Sequence, residues 1–162
     1  MNEYGPIEWG VDTNLPKTPI EVIKRAKQKI RKQLAEGKSA KELSIQKWMD
    51  IAAHIEKILN EKVRFTYQQT FLTSIGFHTC ALCVQSMDEY EKKHGALTSS
   101  SNKCEVCAFA KNNRCLDEDS IYHKFESKLK FIAYGYKQEY EFGIIDLLAN
   151  AKKMIEALKQ LS

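Results

Sequence analysis

The fold is decided first by residues 18–43, TPIEVIKRAKQKIRKQLAEGKSAKEL, which contain two helix starts and one helix end. In residues 18–21 the threonine can cap a helix, the proline suits the first helical position, and the glutamate completes a capping box. Gly37 is of the residue type that most often ends a helix. Residues 39–42, SAKE, repeat the capping box. The pattern predicts two helices in succession, and their apolar stripes predict a basic helical hairpin over residues 17–60.

Apolar residues at helical spacing continue through most of the remaining chain. We expect the second helix to end near Asn60, and its buried side is marked by Leu43, Trp48, Ile51, Ala52, Ile55, Ile58 and Leu59. Residues 84–94 predict a helix that stops at Gly95, and residues 63–77 fit a strand or a helix, of which we favour the helix.

Residues 120–161 are predicted to be C-terminal helices, which Gly135 and Gly143 are expected to split or bend. The acidic run 117–119 is interpreted as the start of these helices. The aromatic stripe from Tyr122 onward is interpreted as core rather than as a platform for stacking bases, because aromatic residues at helical spacing usually pack inside.

Composition supports a single mainly α domain over residues 1–162. Of the 162 residues 43% are apolar, while only 7 are glycine and 3 are proline, which leaves few turn-formers for a many-stranded fold. The first twelve residues are polar and acidic, and no apolar run approaches the roughly 20 residues of a membrane span. We expect a cytoplasmic protein in its host cell.

Positive charge is concentrated in one segment. Residues 17–47 carry ten basic and three acidic side chains, a net charge of +7, against +4 for the whole chain. On the first helix the side opposite the apolar stripe carries Lys24, Arg25, Lys29, Arg31 and Lys32. Such a surface attracts phosphate, acidic protein or anionic lipid, or it serves as a solvated helix face.

The five cysteines form the sharpest chemical signal. Cys80 and Cys83 make one Cys-x-x-Cys pair, Cys104 and Cys107 make a second pair twenty residues later, and Cys115 follows after seven more residues. Two such pairs supply the four thiolates that tetrahedral zinc prefers. We therefore predict a closed, structural zinc site with four cysteine ligands within residues 78–116, with Cys115 as a substitute ligand.

Other interpretations of the cysteines stay open. An iron–sulfur cluster uses the same four thiolates, and a Cys-x-x-Cys pair also occurs as a redox dithiol. His78 is close enough in sequence to replace a cysteine, while His54, His94 and His123 are interpreted as structural or solvent-facing. Cys83 is expected to enter a helix, so that the metal clamps helices together rather than a hairpin.

The order of these motifs resembles that of small cysteine-rich phage and prophage proteins. The match spans roughly residues 40–125 and rests on the Ser-Ile-x-x-Trp pattern at 44–48, the two cysteine pairs, Cys115 and the Ser-x-Tyr at 120–122. Ala108 and Ile121 stand where those proteins carry proline, which changes the expected turns but no expected ligand. The resemblance implies a phage origin and a metal-stabilised fold.

Two functions follow from these observations. Because some phage proteins of this size are anti-CRISPR inhibitors, the resemblance implies a non-enzymatic binding protein that blocks a host effector nuclease. The alternative is a nucleic-acid-binding regulator that uses the basic helix at residues 18–36. An enzyme is not expected, since no Ser-His-Asp grouping, phosphate-binding glycine loop or His-Glu-x-x-His pattern is present in the sequence.

Overall fold

The structure is a computed structural model that describes residues 19–61, 80–96, 102–134 and 140–161. These residues form five α-helices and two short 3-10 helices, and no strand occurs among them. The α-helices are α1 Pro19–Ala35, α2 Ala40–Glu61, α3 Ala81–His94, α4 Ile121–Tyr134 and α5 Tyr140–Lys159; the 3-10 helices are Asn102–Glu105 and Phe109–Lys111. The predicted mainly α fold is confirmed. Within these ranges, no helix combines the length and the apolar character needed to cross a bilayer.

The junction between α1 and α2 follows the local sequence signals. Gly37 has a φ of +92°, and its N–H donates to the carbonyl of Leu34 at 3.1 Å, while the N–H of Lys38 donates to Gln33 at 3.1 Å. This pair of bonds is the Schellman ending of a helix. The Ser39 Oγ then accepts the N–H of Glu42 at 3.3 Å, as the predicted cap of α2.

Three predicted boundaries are corrected by the structure. Helix α3 begins at Ala81 rather than near residue 84, because the Cys80 carbonyl already accepts the N–H of Val84 at 2.9 Å. Helix α4 is capped by Ser120, whose Oγ accepts the N–H of His123 at 3.0 Å, so the acidic run 117–119 lies in the turn before the helix. Gly143 does not split α5, which runs through it.

Some predictions fall outside the described residues. These are the cap at Thr18, the segment at 63–77, His78, and the predicted break at Gly135.

Helix α2 lies at the centre of the core. It packs against α5 and α3, and α4 also packs against α5. Trp48, which is 1% exposed, makes edge-to-face contacts with Phe125 at 4.9 Å and with Tyr122 at 6.3 Å between ring centroids. The core interpretation of the aromatic stripe is confirmed at Phe125, which is fully buried.

Helix α1 packs mainly on α3 rather than on α2. Ala26 and Ile30 are buried, and the Arg31 guanidinium holds both carboxylate oxygens of Asp88 on α3, at 2.8 and 3.0 Å. The hairpin predicted for residues 17–60 stays a prediction.

Candidate metal centre

The five cysteines lie on three short segments that meet beside α2. Cys80 is the residue before α3, and Cys83 is in the first turn of that helix. Cys104 lies in the first 3-10 helix, Cys107 lies just before the second, and Cys115 lies in the turn that leads to α4. Neither Cys-x-x-Cys pair is part of a hairpin. The expectation that Cys83 enters a helix is confirmed.

Four of the five sulfur side chains line one cavity of about 290 Å³. They are those of Cys83, Cys104, Cys107 and Cys115, and the remaining lining residues are Lys103, Ala110, Leu116, Tyr122, His123 and Glu126. Cys115 is thus a member of the cluster and not a distant thiol. Among the described residues, no three His, Cys, Asp or Glu side chains are placed as ligands around one metal ion.

Cys80 and Cys83 form a hydrogen-bonded thiol pair. The Cys83 thiol donates to the Cys80 sulfur, and this bond is the main reason that the pKa of Cys80 falls to about 5. The nearby Lys47 ammonium, the Cys83 backbone N–H and the Ser44 hydroxyl lower the pKa of Cys80 further, against the effect of its burial. The same bond, with burial, raises the pKa of Cys83. One hydrogen bond thus shifts the pKa values of the two thiols in opposite directions.

Polar hydrogens also point at the sulfur of Cys107. Cys107 accepts hydrogen bonds from the Ser86 hydroxyl and from the backbone N–H groups of Phe109 and Ala110, although burial is the larger effect and raises the pKa of Cys107. Burial likewise raises the pKa of Cys115 to about 12. N–H and O–H groups aimed at sulfur stabilise a thiolate, which is the ligand form that a metal requires.

Two residues of the site were not predicted from the sequence. Ser44 and Lys47 on α2 are 0% and 1% exposed, and both face the cysteines. The Ser44 Oγ lies 3.8 Å from the Cys80 sulfur, and the charge of Lys47 interacts with Cys80, Cys83 and Cys115. A signal existed: both residues stand at positions that continue the apolar stripe of α2, where a polar side chain must be buried.

The histidines differ in their placement. His123 lines the cysteine cavity, with its Nδ1 3.4 Å from the carbonyl oxygen of Glu118. His94 is exposed at the end of α3, where its ring contacts Tyr90, and half-buried His54 lies on α2. Neither of these two lines the cavity.

The predicted partner-binding face of α1 is only partly open to solvent. Lys24, Arg25 and Lys32 are exposed, whereas Lys29 is half-buried and exposed Arg31 is engaged with Asp88. None of the five lines the cysteine cavity.

The donor chemistry of these residues is that of a thiolate-binding metal site, although among the described residues no three such side chains are placed around one ion. Five sulfur atoms from two Cys-x-x-Cys pairs and one further cysteine form the soft donor set that zinc and iron–sulfur clusters take, and polar hydrogens already point at two of them. Comparison with protein-family models, curated proteins and solved structures gives no significant match. The chemistry of the cysteine cluster therefore carries the functional conclusions.

Proposed function

We propose that this chain is a non-enzymatic binding protein whose fold is held by one structural zinc ion. The observation that carries the proposal is the meeting of five cysteines from three chain segments at one cavity and its edge. The two segments that carry Cys104, Cys107 and Cys115 contain few regular backbone hydrogen bonds of their own, since only two short 3-10 helices lie between α3 and α4 among the described residues. A metal cross-link is a common means of fixing such a region.

The proposed ligands are Cys80, Cys83, Cys104 and Cys107, with Cys115 competing for one position. When bound, zinc ties the start of α3 to the loop before α4, and such binding contributes on the order of 10 kcal/mol to folding in small zinc domains. Four thiolates leave no position for water, which agrees with a structural rather than a catalytic metal.

The test is metal content and thermal stability of the purified full chain. We expect about one zinc per chain, no visible colour, and loss of the metal in serine variants of the four ligating cysteines. Chelation should lower the melting temperature. The fifth cysteine is expected to be replaceable by serine without loss of zinc.

A matched control separates metal loss from general destabilisation. Ile58→Ala removes a buried side chain from α2, eleven residues and about 16 Å along the helix from Lys47. It should lower stability and leave zinc content unchanged. Absence of metal in the wild type would refute the proposal, and a coloured cluster with iron and sulfide would replace zinc with the iron–sulfur alternative.

The proposed partner is a protein of host defence, namely a CRISPR effector nuclease. This partner class comes from the resemblance to phage proteins, and the exposed part of α1 supplies a basic surface for an acidic or DNA-binding face. Titration of the zinc-loaded chain into a DNA-cleavage assay with the purified effector complex should stop cleavage at one chain per complex. Full inhibition at much less than one chain per complex would contradict this partner, and so would the absence of inhibition.

Direct nucleic-acid binding is the second candidate, because Lys24, Arg25 and Lys32 are exposed on one helix. It predicts affinity for DNA that falls steeply with salt. The double variant Lys24→Glu/Arg25→Glu should weaken binding, whereas the control Lys152→Glu/Lys153→Glu, with the same charge change on exposed sites of α5, should not. Equal effects of the two variants would indicate non-specific attraction only.

A further inference from the structure

Lys47 is a charged side chain in an unusual place. It is 1% exposed on the central helix, and burial lowers the pKa of its ammonium. Burying an ammonium is costly unless anionic or hydrogen-bonding groups surround it. The Cys80, Cys83 and Cys115 sulfurs favour its charged form. The Lys47 Nζ also lies 5.7 Å from the centroid of the Trp48 ring, so the cysteines are one part of the surroundings of this lysine.

Ser44 lies on the same face of α2 as Lys47, and its hydroxyl is next to the sulfur of Cys80. Its Oγ accepts the N–H of Leu82 at 3.3 Å, so its single hydrogen is available to the Cys80 sulfur 3.8 Å away. Ser44 and Lys47 are three residues apart and therefore lie on one side of the helix. Helix α2 consequently presents a hydroxyl and an ammonium to the end of the cluster where α3 begins.

In the metal-loaded protein, positive charge would be needed near the thiolates. Zinc with four thiolates carries two excess negative charges, and in a buried site these need compensation. Groups around the ligands that donate hydrogen bonds or charge commonly tune metal affinity by about 10- to 100-fold. Lys47 is the buried cation of α2, and Ser44 is a buried donor beside it.

We infer that Lys47, aligned by its helix with Ser44, is the charge-compensating residue of the metal centre and thereby stabilises coordination by four thiolates. The inference rests on the proposed zinc site. The residue that balances the ligand charge thus comes from α2, a helix without any cysteine.

The test compares zinc affinity in Lys47→Met, Lys57→Met and the wild type. Methionine keeps the length of lysine without its charge, and Lys57 is exposed ten residues further along the same helix. Competition with a chromophoric chelator should show a zinc dissociation constant raised about 10- to 100-fold in Lys47→Met and unchanged in Lys57→Met. Lys47→Arg, which keeps the charge, should recover part of the loss.

A second readout separates charge compensation from simple structural support. The fall in zinc affinity is therefore compared with the melting temperature of the metal-free proteins. Charge compensation predicts weaker zinc binding in Lys47→Met than in Lys47→Arg even where the two metal-free variants melt at the same temperature, whereas a merely structural role predicts that zinc affinity follows the melting temperature. Equal zinc affinity of Lys47→Met and the wild type would overturn the inference and leave the zinc proposal intact, whereas a wild type without zinc would refute the zinc proposal itself.

Ser44→Ala keeps the inference testable if Lys47→Met does not fold. Removal of the hydroxyl should weaken zinc binding several-fold, since the Cys80 thiolate loses a donor. An unfolded Lys47→Met together with unchanged zinc affinity in Ser44→Ala would overturn the inference, because both residues are inferred to act on the same thiolate.

Discussion

Ser120 stabilises both the start of α4 and the turn that carries Cys115, so its replacement by alanine removes two contacts at once. Its Oγ accepts the N–H of His123 at 3.0 Å and donates to the carbonyl oxygen of Cys115 at 3.1 Å, in a residue that is 8% exposed. Loss of a capping side chain costs about 1 kcal/mol. Loss of the donor to the Cys115 carbonyl costs about 1 kcal/mol more. We expect Ser120→Ala to lower the free energy of unfolding by about 2 kcal/mol.

Thermal unfolding followed by far-ultraviolet circular dichroism measures this loss. In a chain of this length about 2 kcal/mol corresponds to a fall of about 4–8 °C in melting temperature. Ser120→Asp keeps an acceptor for the His123 N–H but has no hydrogen for the Cys115 carbonyl, so about half of the loss is expected. Wild type and variants are compared at equal metal content. Melting of Ser120→Ala within about 1 °C of the wild type, or equal losses in the two variants, would refute the reasoning.

Three further substitutions test other parts of the fold. Gly37→Ala should lower the free energy of unfolding by about 1 kcal/mol, because a residue with a side chain is strained at a φ of +92° even though nothing lies within 4 Å of the added Cβ. An unchanged urea midpoint would contradict this. Trp48→Leu should lower the free energy of unfolding by about 3 kcal/mol, since it removes the contact with Phe125 and leaves a cavity. A loss below about 1 kcal/mol in urea denaturation would contradict this and would indicate that the site repacks. Burial, followed by the charge of Lys57, lowers the pKa of His54 to about 4, so the folded state disfavours protonation. Stability should therefore fall as the pH drops from about 6.5 to about 4, by about 1–2 kcal/mol after allowance for the half-exposed ring, and His54→Gln should remove that part of the pH dependence. Identical pH profiles of the free energy of unfolding in the wild type and His54→Gln would rule out this contribution.

The end of α1 and the start of α2 were predictable because the interactions that set them are local. The cap at Ser39 joins residues three apart, and the bonds at Gly37 span at most five residues. By contrast, Gly143 was expected to split or bend the C-terminal helices, and α5 is not split there. Its helix packs along α2, and such tertiary packing outweighs the roughly 1 kcal/mol propensity cost of one glycine.

The two cysteine pairs of the candidate site were predictable from the sequence, but their surroundings were not. Cysteine spacing alone identified both pairs, since two thiolates on one turn are a local arrangement. The place of Cys115 at the cavity, and the burial of Lys47 against the cluster, depend on how α2, α3 and the loop before α4 meet. No spacing rule relates Lys47 to Cys115, which is 68 residues further along the chain.

By itself, the sequence determined a mainly α chain, the cap at Ser39, the helix end at Gly37 and the donor chemistry of the five cysteines. These follow from propensity, hydrogen bonds between near neighbours and the softness of sulfur, all of which act within a few residues. Only the tertiary structure decided that α1 docks on α3 through Arg31 and that α2 turns Ser44 and Lys47 toward the cysteines. The physical reason is that burial is a property of helices packed together, so the environment of a side chain is set by residues far away in the sequence.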